Sequence, residues 1–315
     1  RIEAAKALIP FMALLVIFDG LREFSSAFFQ ARQKMELGAL ITILTNVGIV
    51  LFGFLAIFFS PTSRALTFSY ISAVGLGALV GIIILRDDFK KIISYFNKNL
   101  IKPILSAAWP IAFLGVLGAF MLNTDVIMLG WWRTAPEIGF YSASQKIVQF
   151  LYVLPAILTS AIFPVLSRLI GQKDSGEKIK LLLEKSIVIT LLTAIPITIG
   201  GIILSKPIIE LIYGREYLPA VLSFQILIIT ALIIFPATLI GYSILAYDKQ
   251  RKMVGYTAIA VFGNIIFNAI LIPPYGIYGA AFATITTQLI SNSLSWRLLK
   301  KINNFYTLRY LKKII

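Results

Sequence analysis

Apolar residues in this chain occur in long blocks that short polar connections separate. A helix needs about 20 apolar residues to cross a hydrocarbon core of about 30 Å. Blocks of that length predict nine transmembrane helices and therefore an all-α polytopic membrane protein. The predicted spans are Leu8–Phe29, Gly38–Phe59, Ala65–Leu85, Pro103–Gly130, Ile138–Leu166, Ser186–Leu204, Leu218–Ala246, Val254–Ile272 and Gly276–Trp296.

The longest polar connection, residues 86–102, predicts an amphipathic helix on the membrane surface. Its residues Phe89, Ile92, Ile93 and Phe96 share one helical face, and lysines occupy the other. Because this connection separates three spans from six, it is interpreted as a linker between two helical lobes. The predicted division is a partial amino-terminal lobe at 1–85, the linker at 86–102, a carboxy-terminal lobe at 103–297 and a basic tail at 298–315.

The composition favours a transporter over an enzyme. Of the 315 residues, 58% are hydrophobic and 14% are charged, whereas soluble domains carry about 25% charged residues. The chain has no cysteine and no histidine, which excludes disulfides and thiolate metal sites and removes the commonest general base. No catalytic residue, metal site or cofactor is predicted.

Basic residues are distributed unevenly between the two sides of the predicted spans. One set of connections and the tail hold 21 Lys and Arg residues, against 6 on the opposite side. Cytoplasmic loops are enriched in basic residues, so the tail is predicted to be cytoplasmic and the protein to lie in the cell membrane. The net charge of +15 then reflects topology, and no soluble basic groove indicates nucleic-acid binding. With Arg1 outside, an odd number of spans is expected upstream if the native amino terminus is cytoplasmic.

Five runs of sequence occur in an order and spacing that resemble one family. They are the runs Phe28–Asn46, Leu122–Leu169, LIYGREYLPA (Leu211–Ala220), GYSILAYDKQRK (Gly241–Lys252) and LIPPYGIYGAAFAT (Leu271–Thr284). Together they resemble Wzx-type polysaccharide flippases, of the O-antigen and teichoic-acid type. These belong to the MOP exporter superfamily, which also contains the lipid II flippase MurJ and the MATE drug exporters.

The resemblance implies a twelve-helix transporter of two six-helix lobes, with the first three helices absent from this chain. It implies alternating access and a substrate in which an oligosaccharide is attached to a polyprenyl pyrophosphate. Implied partners are that lipid-linked oligosaccharide, membrane lipids, and a polysaccharide polymerase and glycosyltransferases. The resemblance leaves open whether a Na⁺ or H⁺ gradient drives transport.

Charged residues inside the first span are candidates for the substrate cavity. Asp19, Arg22 and Glu23 lie near the middle of the span, where ionisable groups usually line a pathway. The alternative is a structural cluster in which the charges neutralise one another.

Asp125 and Lys146 are candidates near the outer face. They lie roughly 7.5 Å and 12 Å from the outer ends of consecutive spans, at 1.5 Å per residue. They could form an ion pair, or Lys146 could reach the interface alone. A role in gating or substrate contact is equally open.

Polar stripes on three predicted helices suggest a wet lumen, although helix packing also uses small polar residues. The larger amides Gln145, Gln149 and Gln288 are the better candidates for contacts with sugar hydroxyls. The smaller members include Asn264, Asn268 and Thr284.

Three alternative functions remain open at the level of sequence. Two lie within the superfamily, namely a MurJ-like lipid II flippase and a MATE-like cation-coupled drug exporter. The third is a polytopic oligosaccharide polymerase or ligase, which the short external connections disfavour.

Overall fold

The computed structural model describes residues 8–32, 34–94, 97–172 and 175–305, and within these ranges every regular element is helical. Short 3₁₀ turns at Lys98–Leu100 and Arg215–Ala220 accompany the α-helices. The α-helices are α1 (Ile9–Ala31), α2 (Met35–Phe59), α3 (Ser63–Ser94), α4 (Ile101–Trp132), α5 (Ala135–Leu151), α6 (Val153–Ile170), α7 (Gly176–Ile203), α8 (Ser205–Tyr213), α9 (Val221–Ile228), α10 (Thr230–Ala246) and α11 (Gln250–Asn303).

Six segments in the described part of the chain are long and apolar enough to cross a membrane. The number becomes seven when the segment Arg215–Ile228 and α10, which meet at 42°, are taken as one bent span. The chain is therefore a polytopic all-helical membrane protein, as predicted. This number is lower than the nine predicted spans for two reasons. Helix α1 carries three charged residues, and α11 is counted once although it contains two helices joined at a kink.

The helix α11 is too long to be one span, because 54 residues rise about 81 Å. Its backbone breaks at Gly276, where φ is 58° and ψ is −134°. A side chain is strained in this left-handed region, so glycine suits the position. Pro273 and Pro274 precede it and lack the N–H groups that would continue the helix. We refer to residues 250–275 as α11a and to residues 277–303 as α11b.

The predicted span Ile138–Leu166 is also interrupted, at Tyr152 between α5 and α6. Pro155 has no N–H to donate to the carbonyl of Leu151, so the regular hydrogen-bond ladder stops there. The other internal prolines lie within continuous helices, as at Pro110 and Pro196.

The chain divides into two compact units, Arg1–Ile101 and Lys102–Ile315. In the first unit, α1, α2 and α3 pack against one another through small residues. A Cβ at Gly77 would overlap the hydroxyl of Thr45, so the close approach of α3 to α2 requires glycine there. Small residues of this kind let membrane helices approach closely.

The second unit contains two main apolar clusters. One surrounds the fully buried Tyr141 and Phe224, near the break in α11. The other packs α7 and α10 against α11b around Leu183 and Leu299. Helix α10 contacts α6, α7 and α11, so it lies at the centre of this second cluster.

The predicted linker and tail are only partly described. Helix α3 continues into the linker as far as Ser94, but the side chains at 89–96 lie outside the described residues. At the other end, α11b continues past position 297, and Leu298 and Phe305 are buried in the second unit. The tail up to residue 305 is therefore packed against its unit, and residues 306–315 lie outside the described part.

Candidate functional site

Asp125 is a fully buried carboxylate in the carboxyl-terminal half of α4. Three neutral groups donate hydrogen bonds to it: Tyr141 Oη at 2.6 Å, Asn268 Nδ2 at 2.7 Å and Thr284 Oγ1 at 2.5 Å. These donors belong to α5, α11a and α11b. Within the described residues, no basic side chain forms an ion pair with Asp125. Asp125 therefore joins four helical segments through neutral partners.

Two asparagines extend this polar group along α11a. Asn268 Nδ2 also donates to Asn264 Oδ1 at 3.0 Å, and both side chains are fully buried. Two of their polar atoms, Asn268 Oδ1 and Asn264 Nδ2, have no hydrogen-bond partner in the part of the chain described here. Buried polar atoms are normally paired, so these two are available to a bound ion, a water molecule or a substrate group.

A small pocket adjoins this carboxylate within the second unit. Its volume is about 30 Å³, which is enough for one or two water molecules. It brings together four of the predicted site residues, from three different helical segments. These are Asp125, Gln145, Gln149 and Gln288.

Two of the three glutamines already have partners. Gln145 Nε2 donates to the carbonyl of Leu122 at 2.9 Å, which holds α5 against α4. Gln288 Oε1 accepts a hydrogen bond of 3.0 Å from Asn292 on its own helix. Their free polar atoms leave one side of the pocket able to bind hydroxyl groups.

The ion pair considered between Asp125 and Lys146 does not form. Lys146 is exposed and does not line the pocket. The reason is the direction in which the side chains of α5 point. Tyr141 faces Asp125, and Lys146, five residues later, is rotated by about 140° around the helix axis from Tyr141. Gln145 is only about 40° from Tyr141, so it faces the pocket instead.

The first unit contains the second predicted charged group. Arg22 donates to Asp19 Oδ1 through Nε at 3.0 Å and through Nη2 at 2.8 Å, and Nη2 also contacts Glu23 Oε1 at 2.5 Å. Its side chain is only 15% exposed, whereas those of Asp19 and Glu23 are 50% and 64% exposed. Arg22 is therefore paired with both carboxylates and partly buried. The two carboxylates offer the more accessible polar surface.

Arg133 lies in the connection between α4 and α5 and was not a predicted site residue. Its Nη2 donates to the carbonyls of Ile272 and Pro273, at 2.8 and 2.7 Å. These carbonyls lie at the carboxyl end of α11a, just before the break at Gly276. A guanidinium at a helix carboxyl end also compensates the helix dipole there. Arg133 therefore holds the broken helix that supplies Asn268.

Tyr141 and Arg133 are the residues of this site that the sequence did not indicate. Tyr141 lies four positions before Gln145, so it shares the face of the predicted polar stripe. Asn268 and Thr284 were part of stripes, but sequence spacing cannot show that stripes on separate helices converge on Asp125. No sequence pattern indicated the role of Arg133, because its partners are backbone carbonyls, which every residue has.

Comparison with known proteins identifies the family. Residues 1–222 match the family described as "Polysaccharide biosynthesis protein". The chain is 23% identical over 291 residues to a protein of Haloferax volcanii named "Probable low-salt glycan biosynthesis flippase Agl15", covering 90% of this chain and 59% of that protein. It is also 23% identical over 283 residues to the "Capsular polysaccharide biosynthesis protein CapF" of Staphylococcus aureus, covering 89% of this chain and 71% of that protein.

A solved structure has the same fold. The inward closed conformation of the lipid II flippase MurJ matches with a TM-score of 0.73 and 20% sequence identity, over 94% of this chain and 63% of the other. The chain thus spans about three fifths of the length of that flippase and of the archaeal relative. It belongs to the polysaccharide biosynthesis protein family and shares the helical fold of that solved structure.

Proposed function

We propose that this chain acts in a flippase that moves polyprenyl-pyrophosphate-linked oligosaccharides across the cytoplasmic membrane for cell-surface polysaccharide synthesis. The observation that supports this most directly is the family match over residues 1–222, together with relatives named for glycan and capsular polysaccharide biosynthesis. A charged sugar head group cannot cross hydrocarbon unaided, so a polar path through protein is required. The proposed role is that of a transporter and not of an enzyme. Membrane lipids surround the transporter.

The proposed architecture has nine spans in this chain and twelve in the whole transporter. The break at Gly276 supports two spans in α11, because each part is long enough to cross a core of about 30 Å. In α1 the charge of Arg22 compensates part of the negative charge of Asp19 and Glu23, which makes burial of this helix in the membrane less costly. The proposed partners of the transporter are a polysaccharide polymerase and glycosyltransferases.

The charge asymmetry supports a cytoplasmic carboxyl terminus. Because the chain has no cysteine, Arg251→Cys and Arg215→Cys give single reactive sites on opposite predicted sides. An impermeant thiol reagent should label position 215 in intact cells and position 251 only after lysis. The reverse pattern would overturn the orientation.

Asp125 is the proposed site for a coupling Na⁺ or H⁺. A carboxylate buried among neutral partners is stabilised when a proton or a small cation compensates its charge. Hydroxyl oxygens of Tyr141 and Thr284 and the unpartnered Asn268 Oδ1 provide the oxygen ligands that hard cations prefer. Asp125 lies on α4 and its partners come from α5 and both parts of α11, so occupation of this site is linked to the packing of these helices.

The coupling proposal is tested by transport in vesicles of the full-length protein under imposed gradients. A Na⁺ gradient or a pH gradient should accelerate transport, and Asp125→Asn should remove that acceleration. Asn123→Ala is the control on the same helix, since Asn123 is exposed and its side chain donates to a carbonyl of its own helix. Equal rates under all gradients would refute coupling at Asp125.

The substrate class is tested by genetic complementation. The full-length gene should restore surface polysaccharide in a strain that lacks its own oligosaccharide flippase. Restored growth of a strain depleted of its lipid II flippase, without restored polysaccharide, would favour the MurJ-like alternative. Export of cationic dyes without either phenotype would favour the MATE-like alternative.

A further inference from the structure

An apolar groove in the second unit lies apart from the Asp125 pocket. It has a volume of about 440 Å³ and lies between α7, α10 and α11b. Its walls are mainly aliphatic, and its polar side chains come from α11b alone. Representative lining residues are Leu191, Pro236, Ile240, Leu289, Ser293 and Arg297.

The polar and apolar parts of the groove are arranged along α11b. Leu289, Ser293 and Arg297 are four residues apart, so they follow one face of the helix. The distance from the first to the last of them is about 12 Å at 1.5 Å per residue. The groove therefore has an aliphatic end at Leu289 and a cationic end at Arg297.

The cationic end lies at the depth of lipid head groups. A span of about 20 residues that begins at 277 ends at 296, next to Arg297. Trp296, a residue type enriched at membrane interfaces, also lines this end of the groove. Lys300 and Lys301 follow within the next turn, at the end that the charge asymmetry predicts to be cytoplasmic.

Arg297 is available for binding a ligand. It is exposed, and within the described residues it forms no ion pair with an acidic side chain. A guanidinium stays protonated and presents a planar fork of donors that matches phosphate oxygens. The hydroxyl of Ser293, one turn away, adds a further donor.

We propose that this groove binds an anionic phospholipid, with one acyl chain along the aliphatic walls and the phosphate on Arg297. Charge complementarity supports this occupant, because basic pockets between membrane helices on the cytoplasmic side bind anionic head groups. The aliphatic walls exclude a soluble phosphate compound as the preferred ligand. The lipid stabilises the packing of α7, α10 and α11b, and the site is independent of the proposed transport activity.

The test measures lipid binding to the purified full-length protein by native mass spectrometry. Phosphatidylglycerol is the anionic probe, and phosphatidylcholine is the probe without net charge. Wild-type protein should retain phosphatidylglycerol in preference to phosphatidylcholine. Arg297→Gln should weaken phosphatidylglycerol binding about five-fold, the effect of about one basic contact at the membrane surface.

Two further variants separate the groove from general surface charge. Arg251→Gln removes an exposed charge from α11a without altering the groove, so its lipid binding should equal that of the wild type. Ser293→Trp fills the groove while retaining Arg297, and it should reduce binding of phosphatidylglycerol. An equal loss in Arg297→Gln and Arg251→Gln would overturn the proposal. Undecaprenyl phosphate is the third probe. If the wild type retains it more strongly than phosphatidylglycerol, and Ser293→Trp loses this retention, the occupant is not a phospholipid.

Discussion

The amide of Asn268 donates a 2.7 Å hydrogen bond to the buried carboxylate of Asp125, and this bond joins α11a to α4. Hydrogen bonds to charged groups are stronger than those between neutral groups. Asn268→Ala should therefore lower the free energy of unfolding in detergent by about 2 kcal/mol. Asn123→Ala, on the exposed face of α4, should change it by less than about 0.5 kcal/mol. Equal effects of the two variants would show that the buried bond does not stabilise the unit.

Lys146 lies away from Asp125, so its charge can be removed without leaving a buried carboxylate unpaired. Lys146→Met should change the free energy of unfolding by less than about 0.5 kcal/mol, whereas breaking a buried ion pair would cost about 3–5 kcal/mol. If Lys146 contacts substrate, this variant should lose transport while its membrane abundance stays normal. Normal transport at normal abundance would remove Lys146 from the candidate site.

The cluster of Arg22 with Asp19 and Glu23 can be tested by neutralising all of its charges. Arg22→Gln alone leaves two acidic side chains of like charge on adjacent turns, which should reduce abundance. The triple variant Asp19→Asn, Arg22→Gln, Glu23→Gln should recover abundance, and it should remain inactive if the charges contact substrate. Arg32→Gln is a suitable control, because Arg32 forms an ion pair with Asp88 elsewhere in the same unit. Full activity of the triple variant would make the cluster purely structural.

The hydrogen bonds of Arg133 to the carbonyls of Ile272 and Pro273 should stabilise the break in α11. Arg133→Gln should lower the free energy of unfolding by about 2 kcal/mol, because two charge-assisted bonds are lost. Arg133→Lys should recover part of this stability, since one ammonium cannot reproduce the planar fork. Arg215→Gln is the control, because Arg215 is 86% exposed in its ion pair with Glu210. Indistinguishable melting of the Gln variants at 133 and 215 would contradict the role of Arg133.

Hydropathy predicted the helical class because spanning a bilayer requires long apolar blocks. The breaks were harder to predict, since they depend on local backbone chemistry. Pro155 interrupts its span at Tyr152, whereas Pro196 lies within an unbroken helix. A proline in an apolar block therefore does not by itself decide whether the span is interrupted.

The residues of the candidate site could likewise be predicted only in part from the sequence. Asp125, Gln145, Gln149 and Gln288 were predicted one helix at a time, from residue type and helical face, and the second unit brings them together. Sequence spacing placed Asp125 and Lys146 at similar depth but did not fix the rotation of α5. That rotation follows from the packing of Tyr141, which only the tertiary structure defines.

Transport of a fluorescent polyprenyl-pyrophosphate oligosaccharide in proteoliposomes tests the central proposal most directly. The full-length protein should move the lipid to the opposite leaflet, where a membrane-impermeant quencher detects it, faster than in protein-free vesicles. Under an imposed Na⁺ or pH gradient, Asp125→Asn should reduce this rate to the wild-type rate without a gradient, whereas Asn123→Ala should retain the full response to the gradient. A wild-type rate equal to that of protein-free vesicles would contradict the account, and an undiminished gradient response of Asp125→Asn would contradict the role of Asp125.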